Sequence, residues 1–250
     1  MSTYGAACSK SGKAYEALVA RVCGRFKSPF MDVPFNTQSI DDLGGCTIVP
    51  DVMLNCKSIG DVKVEVKAKN APDWIQCSIM PCDLQTHWKA KPRSYQPASV
   101  IDMFERELTA IRLFDGCIPS FLTSKQPTHI QWKLESKLFS DVYHPIPSDQ
   151  IAVAYKLRGI HYIQVKGHGL FHTGFDICNF GVPFLECSQR MRIRCKRHGK
   201  KCMLTGKNIP SSVMASFRPV LSTLHKSPYS LDDKSRIPDT LKEFKNTTLF

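Results

Sequence analysis

A chain of 250 residues with 34 Lys and Arg against 22 Asp and Glu carries a formal charge of +12. It is long enough to bury one good core, and basic enough to favour a polyanion partner, because each phosphate that meets a basic side chain releases counterions. Its eleven cysteines, an odd count scattered through apolar contexts, and the lack of an apolar signal core after Met1-Ser2-Thr3-Tyr4-Gly5 argue against a secreted disulfide scaffold. They point instead to reduced thiols in a cytoplasmic or nuclear compartment. No run of about eighteen apolar residues is present to span a bilayer, so a soluble protein without a membrane partner is expected.

The first periodic segment, Gly12 to Val22, predicts a helix with Ser11 as N-cap and Ala14, Leu18, Val19 and Val22 as its apolar stripe. Glu16 lies on that helix. Next, Val52-Met53-Leu54 reads as a short strand, Lys57-Ser58-Ile59-Gly60 as a turn, and Asp61 to Lys67 as a strand of alternating polar and apolar residues. Alternation puts Glu65 and Lys67 on one face and Val62, Val64 and Val66 on the other. Cross-strand pairing about Ser58-Ile59 returns Asp51 to the level of Glu65 to Lys67, so two carboxylates and an amine converge. A carboxylate pair on a rigid sheet is a ligand set for Mg²⁺, which takes hard oxygen ligands and keeps water or phosphate oxygens in its other positions. Such an ion supplies what phosphodiester hydrolysis requires. Lys67 is placed to orient a water or to neutralise the reacting phosphate. Valines alternating with charges are also what any half-exposed strand looks like; the conjunction of Pro50-Asp51, a hairpin-length gap and Glu65-Val66-Lys67 carries the functional reading.

The prolines Pro72, Pro81, Pro92 and Pro97 predict short strands and loops. Ser99 to Phe114 predicts a packing helix with Ser99 as cap and Ile101, Phe104, Leu108 and Ile111 facing the core. Stretches from about Thr128 to Leu138 and from Gln150 to Val165 read as strands, and Lys166 to His172, with glycines at 167 and 169, as a strand with a turn or bulge. Cys178, Cys187, Cys195, His198 and Cys202 have no C-x2-C knuckle and irregular gaps, so they read as small core residues rather than zinc ligands. In Gln189 to Lys201, alternation places Arg190, Arg192 and Arg194 on one strand face, with Lys196, Arg197, Lys200 and Lys201 continuing the positive track. Guanidinium groups in a line suit nucleic-acid phosphates; the alternative is an edge strand charged against aggregation. With no internal repeat, one domain is expected over 1–230, its catalytic core about 11–115 and a basic sheet extension about 125–230, followed by a C-terminal arm or partly disordered tail over 231–250.

Asp51-x13-Glu65-x-Lys67 resembles the motif of the PD-(D/E)xK superfamily, which includes restriction endonucleases, Holliday-junction resolvases and viral exonucleases; the matching motifs cover about residues 11 to 80. The resemblance implies an α/β fold with a restriction-endonuclease-like core, a central mixed β-sheet flanked by helices. It adds Glu16, on a helix before the hairpin, as a further metal ligand or supporting group, and Gln76, shortly after the lysine strand, as a further catalytic residue. The expected activity is Mg²⁺-dependent hydrolysis of DNA phosphodiesters, with Mn²⁺ as a substitute, by Asp51, Glu65, Lys67, Glu16 and Gln76, most simply as an endonuclease acting as a homodimer. RNA stays open as a substrate. The alternative is a non-catalytic nucleic-acid-binding or assembly protein that keeps the nuclease fold.

Overall fold

The computed structural model describes residues 3–24, 50–56, 59–69, 72–82, 87–92, 96–196 and 200–239. They fall into two compact units, each assembled from separated stretches of chain: Met1–Pro72, Ile151–Cys187 and Leu221–Phe250 form one, Asp73–Gln150 and Ser188–Val220 the other. Both are mixed in character, with sheets flanked by helices. Among the described residues no helix is long and apolar enough to cross a membrane.

The first unit is built on a four-stranded mixed sheet in the order β1 (Val52–Cys56), β2 (Gly60–Lys67), β6 (Tyr162–Val165), β7 (Gly169–His172). The β1–β2 and β6–β7 pairs are antiparallel and the central β2–β6 pair is parallel. Parallel neighbours need a crossover, and its last part is helix α5 (Gln150–Leu157). The pleat sorts the faces. Val62, Val64, Val66 and Tyr162 enter a core with Tyr15, Val19, Val22 and Cys23 of helix α1 (Thr3–Gly24). Glu65 and Lys67 lie on the other face, where Tyr155 of α5 reaches Glu65.

Several predicted elements change here. Helix α1 begins well before Ser11, which therefore caps nothing, and its buried stripe is Tyr15, Val19, Val22 and Cys23; Leu18 is exposed. The apolar run Gln150–Leu157 is a helix, not a strand. Its Ile151, Ala152, Ala154 and Tyr155 are fully buried, and a Schellman closure ends it: Gly159, at φ +74°, donates to the Lys156 carbonyl while Ile160 donates to that of Tyr155. Residues 230–239, expected in a loose tail, are docked. Leu231 and Ile237 are buried in the core, the Leu231 amide donates to Gln164 Oε1 at 2.9 Å, and the Gln164 amide group donates to Ser230 and to Tyr15. Gly169, at φ +103°, lets the chain at Ser227–Tyr229 pass so close to β7 that a Cβ there would collide with the Tyr229 carbonyl.

The second unit centres on a five-stranded antiparallel sheet in the order β4 (Trp88–Ala90), β3 (Ile75–Pro81), β11 (Val213–Pro219), β8 (Gln189–Cys195), β5 (Val142–Ile146). Helix α2 (Ala98–Thr109) packs on it through Phe104, which stacks on Phe217 at a centroid distance of 4.0 Å. It is shorter than the predicted 99–114, its N-cap is Pro97 rather than Ser99, and the backbone turns over at Phe114 and Asp115, both at φ +51°. Residues 128–138, predicted as a strand, hold helix α4 (His129–Glu135), started by a Thr128–Gln131 capping box, while α3 (Ser120–Thr123) is a single turn. A small hairpin of β9 (Lys200–Lys201) and β10 (Asn208–Ile209) completes the unit. Cys23, Cys77, Cys178, Cys187, Cys195 and Cys202 are free and buried. Burial pushes the Cys23 and Cys195 thiols up to about 12.

Candidate active site

The β1–β2 register pairs Val52 with Val64, which carries Asp51 to the level of Glu65. Asp51 Oδ2 accepts the Val66 amide at 2.7 Å, so a side chain continues the ladder and its carboxylate is held against β2. On the same strand Lys67 Nζ donates to Glu65 Oε1 at 2.5 Å, with the two side chains 16% and 12% exposed. The Tyr155 hydroxyl donates to the same Glu65 oxygen at 3.4 Å, and its ring lies 5.6 Å from Lys67 Nζ. The Arg158 guanidinium stands 5.5 Å from that ring.

Crowding sets the charge states. Burial first, and Glu65 next, push the Asp51 carboxyl up to about 7, against the pull of Lys67 and the Val66 amide; Glu16 adds to the rise. Burial works to lower the Lys67 ammonium, but Glu65, Tyr155 and Asp51 outweigh it and keep the amine charged. Glu16, half-buried on α1, is raised by burial, lowered by Lys67 and raised again by Glu65, so it shares the field of the same cluster. Asp51, Glu65, Glu16 and Lys67 are thus one electrostatic unit.

A hard divalent cation fits this donor set. The ligands are carboxylate oxygens on a pleated sheet, and the crowding that holds a proton on Asp51 up to about pH 7 is relieved by a cation as well as by a proton. Among the described residues no three His, Cys, Asp or Glu side chains converge closely enough to make a finished cage. Asp51 and Glu65 are the residues that could hold such an ion, with Glu16 in the same electrostatic field.

The other expected residues lie in the second unit. Gln76 is on β3, and its main-chain carbonyl accepts from Gln96 Nε2 at 2.8 Å. β8 alternates as expected, with Met191, Ile193 and Cys195 buried and Arg190, Arg192 and Arg194 half-buried, but it is an interior strand between β11 and β5, not an edge. Its guanidinium groups are engaged. Arg192 bonds Asp141 at 2.6 Å and Asp73 at 3.1 Å, Arg194 bonds Asp73 at 3.2 Å, and Arg190 lies 4.5 Å from the centre of the Tyr143 ring. Lys196 and Lys201 are exposed; Arg197 and the Lys200 side chain lie outside the described residues.

Tyr155 and Gln164 are positions around the candidate site that the sequence reading missed. The first touches Glu65; the second ties α1 to the docked C-terminal segment. A signal for Tyr155 was present in Gly159, which marks a helix end where a strand was expected. Gln164 sits in a four-residue buried strand, and nothing local distinguishes it. Comparisons of the chain with family models, with curated proteins and with solved structures find no match.

Proposed function

We propose that this chain is a metal-dependent nuclease with a restriction-endonuclease-like core of the PD-(D/E)xK kind, hydrolysing DNA phosphodiester bonds, most simply as an endonuclease that uses two copies to cut both strands. The observation that carries the proposal is the hairpin itself: Asp51 at the level of Glu65 across two strands, with the Lys67 ammonium bonded to Glu65. The four-stranded mixed sheet, with α1 on one face and α5 on the other, is the kind of core that the motif resemblance implies. The formal charge of +12 favours a polyanionic substrate.

In this reading Asp51 and Glu65 hold Mg²⁺, or Mn²⁺, with Glu16 adding negative charge alongside. The bound ion supplies Lewis acidity and an acidified water. The chain's own residues do the positioning. The Val66 amide fixes the Asp51 carboxylate, and the Tyr155 hydroxyl and Lys67 fix that of Glu65. Lys67, kept protonated, offers a positive charge beside the ligand pair where negative charge develops on phosphate.

The tight Lys67–Glu65 bond favours one competing reading, in which the pair is a structural lock and the protein binds nucleic acid without cutting it. Labelled linear, circular and branched DNA, and RNA, incubated with and without Mg²⁺, separate the two. Cleavage is expected with Mg²⁺ or Mn²⁺ and lost in EDTA. Asp51→Ala is expected to abolish it while DNA binding survives, and full activity in that variant removes the assignment.

A further inference from the structure

Met203 and Leu204 are 92% and 83% exposed, the two most exposed large apolar side chains among the described residues. They stand in the turn of the β9–β10 hairpin, and that turn is held in shape. The Cys202 amide donates to the Lys207 carbonyl and the Gly206 amide to the Cys202 carbonyl, both at 2.8 Å. Gly206 supplies the left-handed position at φ +64°. Cys202 is the anchor: it is 2% exposed, and the β10 strand of the hairpin packs against α4. Among the described residues nothing covers these two side chains, and a fixed turn that presents them to solvent is suited to meet a partner.

The surroundings state the partner's charge. Lys201 and Lys207 flank the tip, Lys196 precedes the hairpin, and Lys133 and Lys137 are exposed on and just after α4. The one carboxylate of α4, Glu135, is taken up by the Ser120 hydroxyl at 2.6 Å and the Ser120 amide at 3.0 Å. A cationic rim around an apolar point is the complement of duplex nucleic acid, with its phosphates outside and apolar base faces within. The apolar element is also a projection two side chains wide, which enters a partner rather than receiving one. Met and Leu are among the side chains that proteins drive between base steps.

We infer that the β9–β10 hairpin is a wedge for duplex DNA, with Lys201 and Lys207 on the flanking phosphates and Met203 and Leu204 inserted at a base step. The inference rests on the proposed DNA substrate and adds a mode of engagement: the duplex is unstacked where it is held. An anionic membrane is the rival, since Ile130, Leu134 and Leu138 on and after α4 are also exposed.

The test uses the full chain in EDTA, so that no cleavage is required, with duplexes carrying 2-aminopurine at successive positions. The parent is expected to raise fluorescence several-fold at one step. Met203→Ala/Leu204→Ala, checked for folding by circular dichroism, is expected to bind about tenfold more weakly and to give no rise even at saturation. Lys201→Ala/Lys207→Ala is expected to keep the rise at saturation but to flatten the dependence of log K on log salt by about 1.8. The wedge is overturned by absence of a rise in the parent or by an equal rise in the double apolar variant. It is equally overturned if that variant loses flotation with phosphatidylserine vesicles while its DNA binding is unchanged. Cleavage without unstacking sinks the wedge alone, and unstacking without cleavage in Mg²⁺ sinks the nuclease reading alone.

Discussion

Glu65→Gln preserves the shape of the carboxylate and removes its charge, so it separates the electrostatic role of Glu65 from its packing. In the parent, Lys67 Nζ bonds Glu65 Oε1 at 2.5 Å with both side chains largely withdrawn from water. A hydrogen bond to a charged group contributes about 1.5–3 kcal/mol. The glutamine carbonyl still accepts such a bond from the Lys67 ammonium, so the substitution loses the ion–ion part alone and should cost about 1–2 kcal/mol. For a chain of this length that lowers Tm by about 2–8 °C, whereas an exposed ion pair would contribute between 0 and about 1 kcal/mol if removed outright. The sign of the pH dependence follows from Asp51. Its carboxyl, raised from 3.8 to about 7 in the fold, keeps a proton that the unfolded chain releases. Its contribution to stability is thus full below about pH 4 and lost as pH rises through about 7 in metal-free protein. Above that pH the parent holds two repelling carboxylates, and Glu65→Gln relieves the repulsion. The cost of the substitution should accordingly be larger at about pH 6 than at about pH 8.5. Urea denaturation followed by circular dichroism at the two pH values measures it, with cleavage assayed in parallel and expected to be lost. A variant with an unchanged urea midpoint at both pH values and with retained cleavage would refute both the buried pair and its part in the site.

Lys67→Ala should lower turnover by about 10²–10³-fold, as loss of a transition-state donor does, with little change in Mg²⁺ or Mn²⁺ affinity by calorimetry; affinity that collapses with activity would make Lys67 structural. Replacing Arg190, Arg192 and Arg194 together by Ala should chiefly destabilise the second unit, by about 3–5 kcal/mol, because Asp73 is left buried without its cations. Only Arg190 is outside that ion network, so the salt slope of DNA binding should fall by no more than about 0.9, and a drop of two to three units would show that all three leave their intramolecular partners for phosphate. Gly169→Ala should cost about 2 kcal/mol or more, from a positive φ and a clash with the Tyr229 carbonyl; faster hydrogen exchange at Leu170 and Leu231 would report the undocking of residues 227–239, and unchanged protection would count against that docking.

The hairpin was legible because everything that defines it is local. Alternation over Asp61–Lys67 gives the faces, the turn length gives the register, and the register brings Asp51 to Glu65 with no help from distant chain. The same period identified β8 and its arginine face. What the pattern could not carry was the company those side chains keep. Arg190, Arg192 and Arg194 look alike along the strand, yet the two carboxylates that occupy Arg192 come from positions 73 and 141, and no spacing within 189–201 predicts them. α4 and α5 were missed for another reason. Short apolar runs rich in β-branched or aromatic residues fit either period, and the deciding information sat at their ends, in the Thr128–Gln131 box and in Gly159.

The docked C-terminal segment shows how far a composition-based expectation reaches. Residues 230–239 are polar enough to read as a loose arm, and a loose arm would leave Gln164, buried in β6, with its carbonyl oxygen unsatisfied. Instead the Leu231 amide donates to that oxygen, Ser230 accepts from the Gln164 amide group, and Asp232 accepts the Tyr15 hydroxyl at 2.7 Å. Tyr15 directly precedes Glu16 on α1. The segment that seemed expendable therefore helps to set the helix that carries the third carboxylate of the candidate site. Loss of residues 230–239 should loosen Glu16 before it disturbs Asp51 or Glu65, which the β1–β2 ladder holds independently.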